Sequence, residues 1–167
     1  MKNIVLIGMP GVGKSCIGVV LAKALGMLFI DSDIVIQEKT GKTLSKLISE
    51  LGIDGFIALE DKINSGIDAE NTVIATGGSA VFGENAMRHF KETGTVIYLS
   101  IDCDVLSSRL GNLDSRGVVR KKGQELKDIY NERRALYERY ADITVHETGA
   151  VFKIDETIGT IKRELKL

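Results

Sequence analysis

Three observations predict an α/β fold in which a parallel sheet carries helices on both faces. Short apolar, β-branched runs recur at residues 3–7, 28–31, 72–76, 95–100 and 142–146. Helical patterns lie between these runs, and a last one follows at about 155–166. The first run leads straight into Gly8-Met9-Pro10-Gly11-Val12-Gly13-Lys14-Ser15, and a helical pattern begins at once after it. Strands that alternate with helices at this spacing pair in parallel, because each helix carries the chain back across the sheet. Such sheets hold ligands beyond the carboxyl ends of their strands, which is where the remaining residues must be weighed.

The first strand, Asn3-Ile4-Val5-Leu6-Ile7, has the continuous apolar character of a buried strand. Ile17, Val20, Leu21 and Leu25 then follow at the spacing of one helix face. The segment between them matches G-x-x-x-x-G-K-[ST], the phosphate-binding P-loop. A phosphate chain needs several N–H donors close by. Gly11 and Gly13 lack a Cβ, so the backbone can curl around the oxygens, and the new helix aims its free N–H groups at the same anion. Lys14 can reach the β- and γ-phosphates, and the Ser15 hydroxyl can ligate Mg²⁺. Gly11, Val12, Gly13, Lys14, Ser15 and Cys16 are therefore the candidate nucleotide contacts, Cys16 as a small residue beside the nucleotide.

The second strand ends in Asp31-Ser32-Asp33, at the same carboxyl edge as the P-loop. In an extended segment these two carboxylates point to one side. Asp31 is placed in the Mg²⁺ shell and Asp33 at the acceptor hydroxyl, with a helix N-cap role for Asp33 as the alternative. Helical patterns follow at 43–50 and 55–67. In the second, Glu60 shares an apolar face with Phe56, Leu59, Ile63 and Ile67, so a cationic partner is expected for it.

Val73-Ile74-Ala75-Thr76 is a buried-type strand running into Gly77-Gly78-Ser79, and the two glycines allow backbone to approach a ligand closely. Thr95-Val96-Ile97-Tyr98-Leu99 is the next strand. Beyond it come Arg109 and a basic, glycine-containing stretch at about 111–123 that includes Arg116. Few apolar residues anchor this stretch, and it is expected to be a mobile lid that brings cations to phosphates, with Arg116 the leading contact. In the helix from about Glu125 to Tyr140, Arg133 falls on the inward stripe with Leu126, Ile129, Tyr130, Tyr137 and Tyr140. An Arg there binds an anion or snorkels; a substrate carboxylate or Glu60 would satisfy it. His89 and His146 are isolated and take surface or packing roles.

Composition bounds the rest. The 167 residues suit a single domain, 1–167, with a core of ordinary size, at 44% hydrophobic and 27% charged residues. A net charge of −1 gives no global attraction to nucleic acid or membrane, so neither is expected as a partner, and a monomer is expected. Cys16 and Cys103 form no metal or disulfide framework. The first strand begins by Asn3 and no apolar run approaches a membrane span, so a cytoplasmic protein is expected. An [NT]-K-x-D guanine-reading motif is absent, and Val96–Leu99 is followed by Ser100 rather than Asp-Glu, which sets aside GTPases and helicase-type ATPases. A small kinase remains.

Taken together, these pieces resemble the shikimate kinase family, whose fold is nucleoside-monophosphate-kinase-like. The likeness runs from the first strand to about residue 145. It is carried by the P-loop, Asp31-Ser32-Asp33 for the family's D-T-D, Ala75-Thr76-Gly77-Gly78, Arg116 in the lid, Arg133 with Leu136-Tyr137, and Ala141-Asp142. The resemblance implies a three-layer α/β/α P-loop kinase fold with a central five-stranded parallel sheet and a mobile lid. It implies ATP and Mg²⁺, and phosphorylation of a ring hydroxyl of shikimate in aromatic amino-acid biosynthesis. Carried over, Ser15 and Asp31 would serve Mg²⁺, the latter through water. Lys14 and Arg116 would act on the phosphates, Asp33 would hold and deprotonate the hydroxyl, Gly77 and Gly78 would line the acceptor, Arg133 would clamp its carboxylate, and Arg109 would pack near the adenine.

The chain departs from the family pattern at particular positions. The Arg of G-E-x-x-F-R-x-x-E is Ile57, the third glycine of G-G-G is Ser79, the lid's R-P-L-L is Arg116-Gly117-Val118-Val119, and the proline before Leu136-Tyr137 is Ala135. The phosphate half of the pattern is intact and the acceptor half is altered. A relative acting on another small hydroxylated acceptor, or a nucleotide-binding module without kinase turnover, are the alternatives.

Overall fold

The structure is a computed structural model that describes residues 2–110, 118–149, 151 and 153–167. Five strands form one sheet: β1 (Asn3–Ile7), β2 (Leu28–Asp31), β3 (Thr72–Ala75), β4 (Gly94–Ile101) and β5 (Ile143–Glu147). Their order is β2-β3-β1-β4-β5 and every pairing is parallel, as the alternating pattern requires. β1 is central and buried along its whole length, which explains its unbroken apolar run. From β1 the chain turns toward β2 and β3, and later crosses to β4 and β5. The ends of β1 and β4 therefore border the point where the winding reverses, and the P-loop leaves from there.

Among the described residues there are seven helices. They are α1 (Lys14–Leu25), α2 (Ser32–Thr40), α3 (Leu44–Ser65), α4 (Glu84–Thr93), α5 (Cys103–Arg109), α6 (Leu126–Tyr140) and α7 (Ile154–Glu164). α1 lies against β3 and β2 with α7 beside it, while α3, α4 and α6 gather around a 3-10 turn at Ala80–Phe82. The main core joins both layers through the sheet and includes Leu6, Ile7, Ile17, Leu21, Phe90, Tyr98 and Ile161. A second, smaller cluster holds Ile36, Leu47, Phe56, Ile63 and Val119, and packs α2 against α3. Asp142, part of the family pattern, accepts hydrogen bonds from Val96 N at 2.9 Å and Lys91 Nζ at 2.6 Å, tying the end of α6 to β4 and α4.

The structure revises several expectations. The two helical patterns at 43–50 and 55–67 are both present, but they abut more closely than expected: α3 is two helical segments that meet at a kink at Gly52, whose φ of 70° and ψ of 178° leave helical space. The N-cap at the second strand is Asp31 rather than Asp33. Asp31 stays extended at φ −102° and ψ 116°, and its carboxylate accepts from Asp33 N. Asp33 is thus already in the first turn of α2, not in an extended run with Asp31. The lid stretch is also better anchored than its composition suggests, because Val119 is buried in the second cluster. Arg116 and the rest of 111–117 lie outside the described residues. Among the described residues, no helix is long and apolar enough to cross a membrane.

Candidate active site

A cavity of about 450 Å³ opens at the carboxyl edge of the sheet. Its walls come from the P-loop and the start of α1, from Asp33 on α2, from Phe56 and Glu60 on α3, from residues 76–79, from Val118 and Val119, and from Arg133 on α6. Most of the residues singled out in the sequence meet here.

The P-loop side is built largely from backbone. Gly13 caps α1 with a left-handed φ of 102°, a conformation that side chains with a Cβ rarely adopt, and α1 starts at the cavity, which Lys14, Ser15 and Cys16 line. Lys14 is buried, and its ammonium donates to the carbonyls of Gly8 at 2.7 Å and Met9 at 2.9 Å. Burial lowers its pKa to about 8, opposed mainly by the charge of Asp33. The Ser15 hydroxyl donates to Asp31 Oδ2 at 2.6 Å while the other Asp31 oxygen caps α2, so one carboxylate joins the P-loop to the end of β2. Gly11 and Cys16 line the cavity, Cys16 with its thiol exposed. Val12 does not reach it; the side chain is buried in the core.

The side facing the P-loop is built from side chains on separate elements. Asp33 faces the cavity, and burial, reinforced by Asp31, lifts its pKa to about 6 against the pull of Lys14. Glu60 is 1% exposed, and burial lifts its pKa to about 7. Its hydrogen-bond partner is not the cation expected from the sequence. Ser79 Oγ donates to Glu60 Oε2 at 2.6 Å, while Arg133 and Lys14 favour the charged form only through space. Gly77 fits between the two acids: a Cβ there would fall 2.6 Å from Glu60 Oε1 and 2.8 Å from Asp33 Oδ1. That close approach is why a glycine is needed at this position.

The segment 76–79 is fixed from all sides. Thr76 bonds to Leu6 O through both N and Oγ1, Gly77 N donates to Ser32 Oγ at 3.3 Å, and Tyr137 Oη donates to Gly78 O at 2.6 Å. Tyr137 is in turn stacked on Tyr98, with ring centroids 5.1 Å apart. Arg133 is 2% exposed, as its place on the inward stripe implied. Its Nη2 donates to Val119 O, and the guanidinium lies over the Phe82 ring at 5.4 Å. Its buried Nε has no hydrogen-bond partner among the described residues.

Arg109 does not line the cavity. Its guanidinium donates to Gly149 O at 2.7 Å and Val12 O at 3.4 Å, and lies 3.6 Å from the Glu147 carboxylate. It therefore ties the P-loop to the end of β5. Glu147 and Thr157, which donates to Glu147 Oε1, were not singled out in the sequence. The signal was present for Glu147: it repeats the inward position of Val145 at a spacing of two, so an acid falls on a buried strand face.

The chain matches the family model for shikimate kinase over residues 10–162. A shikimate kinase of Persephonella marina is 34% identical over 97% of this chain and 100% of its own length. One from Clostridium botulinum is 38% identical over 98% of this chain and 97% of its own. Among solved structures, shikimate kinase from Acinetobacter baumannii in complex with shikimate superposes with a TM-score of 0.86 at 29% identity, covering 99% of this chain and 94% of that one. With a P-loop, a half-buried Asp33, a buried Glu60 and a buried Arg133 around one cavity, and with these matches along nearly its whole length, the chain belongs to the shikimate kinase family, ATP-dependent phosphotransferases that act on an alcohol group.

Proposed function

We propose that this chain transfers the γ-phosphoryl group of ATP to a ring hydroxyl of shikimate. The observation that carries the reading is the single cavity that runs from Lys14 and Ser15 to Asp33, Gly77, Gly78 and Arg133. In this reading the P-loop N–H groups and Lys14 hold the phosphates, and Arg116 adds charge from the lid. Asp33 accepts the proton of the attacking hydroxyl. With a pKa of about 6 it is mainly ionised at neutral pH, as a base must be, yet close enough to neutrality to take a proton readily. Gly77 and Gly78 offer backbone to the acceptor, and Arg133 meets its carboxylate. The chemistry is mostly positioning and charge stabilisation.

The donor set also fits Mg²⁺. A hydroxyl and a carboxylate oxygen, Ser15 Oγ and Asp31 Oδ2, lie 2.6 Å apart at the phosphate mouth, and Mg²⁺ prefers such hard oxygen ligands with water completing its shell. Ser15 would hold the ion and Asp31 its water shell; when bound, it neutralises charge on the phosphates.

One observation favours a second reading, a different hydroxylated acceptor. Ile57, where the family has an Arg, packs against the second apolar cluster, which leaves Arg133 as the buried guanidinium on the cavity wall among the described residues. ADP release with ATP and Mg²⁺, with and without shikimate, separates the two. Strong dependence on shikimate is expected. Slow release that ignores shikimate would transfer the search to other polyols and nucleoside monophosphates.

A further inference from the structure

We infer that Ser79 is a positioning residue for the acceptor: its hydroxyl holds Glu60 so that the free carboxyl oxygen faces the acceptor's hydroxyl groups beside Asp33. The inference rests on the reading of the cavity given above. It goes beyond it by assigning a task to a residue at which this chain departs from its family.

The geometry is specific. Ser79 is buried, and its Oγ takes one oxygen of Glu60, Oε2. The other, Oε1, is buried and has no hydrogen-bond partner among the described residues. It lies 2.6 Å from where a Gly77 Cβ would stand, and Asp33 Oδ1 lies 2.8 Å from the same point. Two acid oxygens thus converge on the bare face of one glycine on the cavity wall. A sugar-like hydroxyl both donates and accepts, so it can pair with Oε1 whether Glu60 is ionised or protonated.

Ser79 can do this because the backbone beneath it is unstrained and held by its neighbours. Its φ of −94° and ψ of −6° are open to any residue, so a glycine is not required. The segment that carries it is pinned to β1, α2 and α6 by Leu6, Ser32 and Tyr137. Ile57 lies one helical turn before Glu60 and supplies no polar atom. In this chain a neutral hydroxyl from residues 76–79 therefore supports the acid, where a cation one turn earlier could have done so. A hydrogen bond to a buried carboxylate is among the stronger ones, and it is made here from a rigid element.

The groups facing Glu60 are Lys14 from α1, Asp33 from α2, and Arg133 and Tyr137 from α6. The Ser79 bond favours the ionised form against burial, so removing it moves the Glu60 titration upward. Two variants and their combination with Glu60→Gln test the inference. Ser79→Ala is expected to raise the shikimate KM about tenfold or more, with the ATP KM within about twofold, and Ser79→Thr to restore most of the loss. In the Glu60→Gln background, Ser79→Ala should add little further, since Ser79 acts through Glu60. Carboxyl ¹³C NMR of Glu60 should show a higher midpoint in Ser79→Ala than in the parent.

An unchanged shikimate KM, or equal losses for both substrates, or full additivity with Glu60→Gln, overturns the inference. A parent enzyme with no shikimate-dependent turnover defeats the substrate reading instead. In that case the Glu60 midpoint decides: an upward move in Ser79→Ala upholds the pairing, and an unmoved midpoint overturns it.

Discussion

The two halves of the cavity are made in different ways. In the proposed reading the phosphate half is eight consecutive residues, Gly8 to Ser15, whose work falls to backbone N–H groups, one lysine and one hydroxyl. The acceptor half draws Asp33 from α2, Glu60 from α3, Gly77 to Ser79 from the end of β3, and Arg133 from α6. Its two acids are displaced by burial to pKa values of about 6 and 7, whereas on the phosphate side Lys14 is displaced the other way, to about 8. A contiguous loop leaves little room for variation, because each residue is fixed by the turn it makes. A site assembled from four elements can exchange one support for another, as Ser79 and Ile57 illustrate.

The largest effect should come from breaking the phosphate half. Lys14→Ala is expected to lower kcat/KM by about a thousandfold or more while circular dichroism shows the fold retained; a variant within tenfold of the parent would remove Lys14 from phosphoryl transfer. On the acceptor side, Asp33→Asn should cost about 10²- to 10⁴-fold in kcat. It should also abolish the acid limb of the pH profile. The sign follows from the raised pKa: the base must be ionised, so parent activity falls as pH drops below about 6. Lys14, lowered to about 8, makes kcat/KM for ATP fall again above that pH, as the ammonium loses its proton in the free enzyme. A flat profile from pH 5 to 7 would count against Asp33 as the base.

A smaller effect separates the halves. Arg133→Ala is expected to raise the acceptor KM by about 10- to 100-fold, the worth of a charge-assisted bond, and the ATP KM by far less. Equal changes would take Arg133 out of the acceptor half. The smallest change should be a gain. Ile57→Arg places a guanidinium one turn from Glu60 and should lower the shikimate KM by about threefold to tenfold, at some loss of packing in the second cluster. No change in KM would mean that the acceptor lies away from α3.

Much of this was legible in the residue order. β1, β3 and β4 appeared as apolar runs because both faces of the sheet are covered at its middle, while the edge strands β2 and β5 are partly exposed. The P-loop appeared because its chemistry is local. α2, α4 and α5 were not delimited. They are short, α2 has a weak apolar face, and its start is set by a carboxylate cap rather than by periodicity. Asp31, Asp33, Gly77, Gly78 and Arg133 stood out as residue types in unusual places, and the fold does bring them to one edge. The partner of Glu60 was misjudged because burial announces only that a partner is needed; Ser79 is 19 residues away in sequence and meets Glu60 only through packing. The partners of Arg109 were illegible for the same reason, since Glu147 and Gly149 reach it from the far end of the chain.

Periodicity and a contiguous motif thus determined the sheet, its direction and the phosphate-binding loop, because those depend on neighbours a few residues apart. The strand order, the Ser15–Asp31 link, the Ser79–Glu60 pair and the displaced acids were decided only in three dimensions. Hydrogen bonding across the chain and the loss of water around a side chain depend on which distant residues arrive beside it, and no short stretch of sequence contains that information.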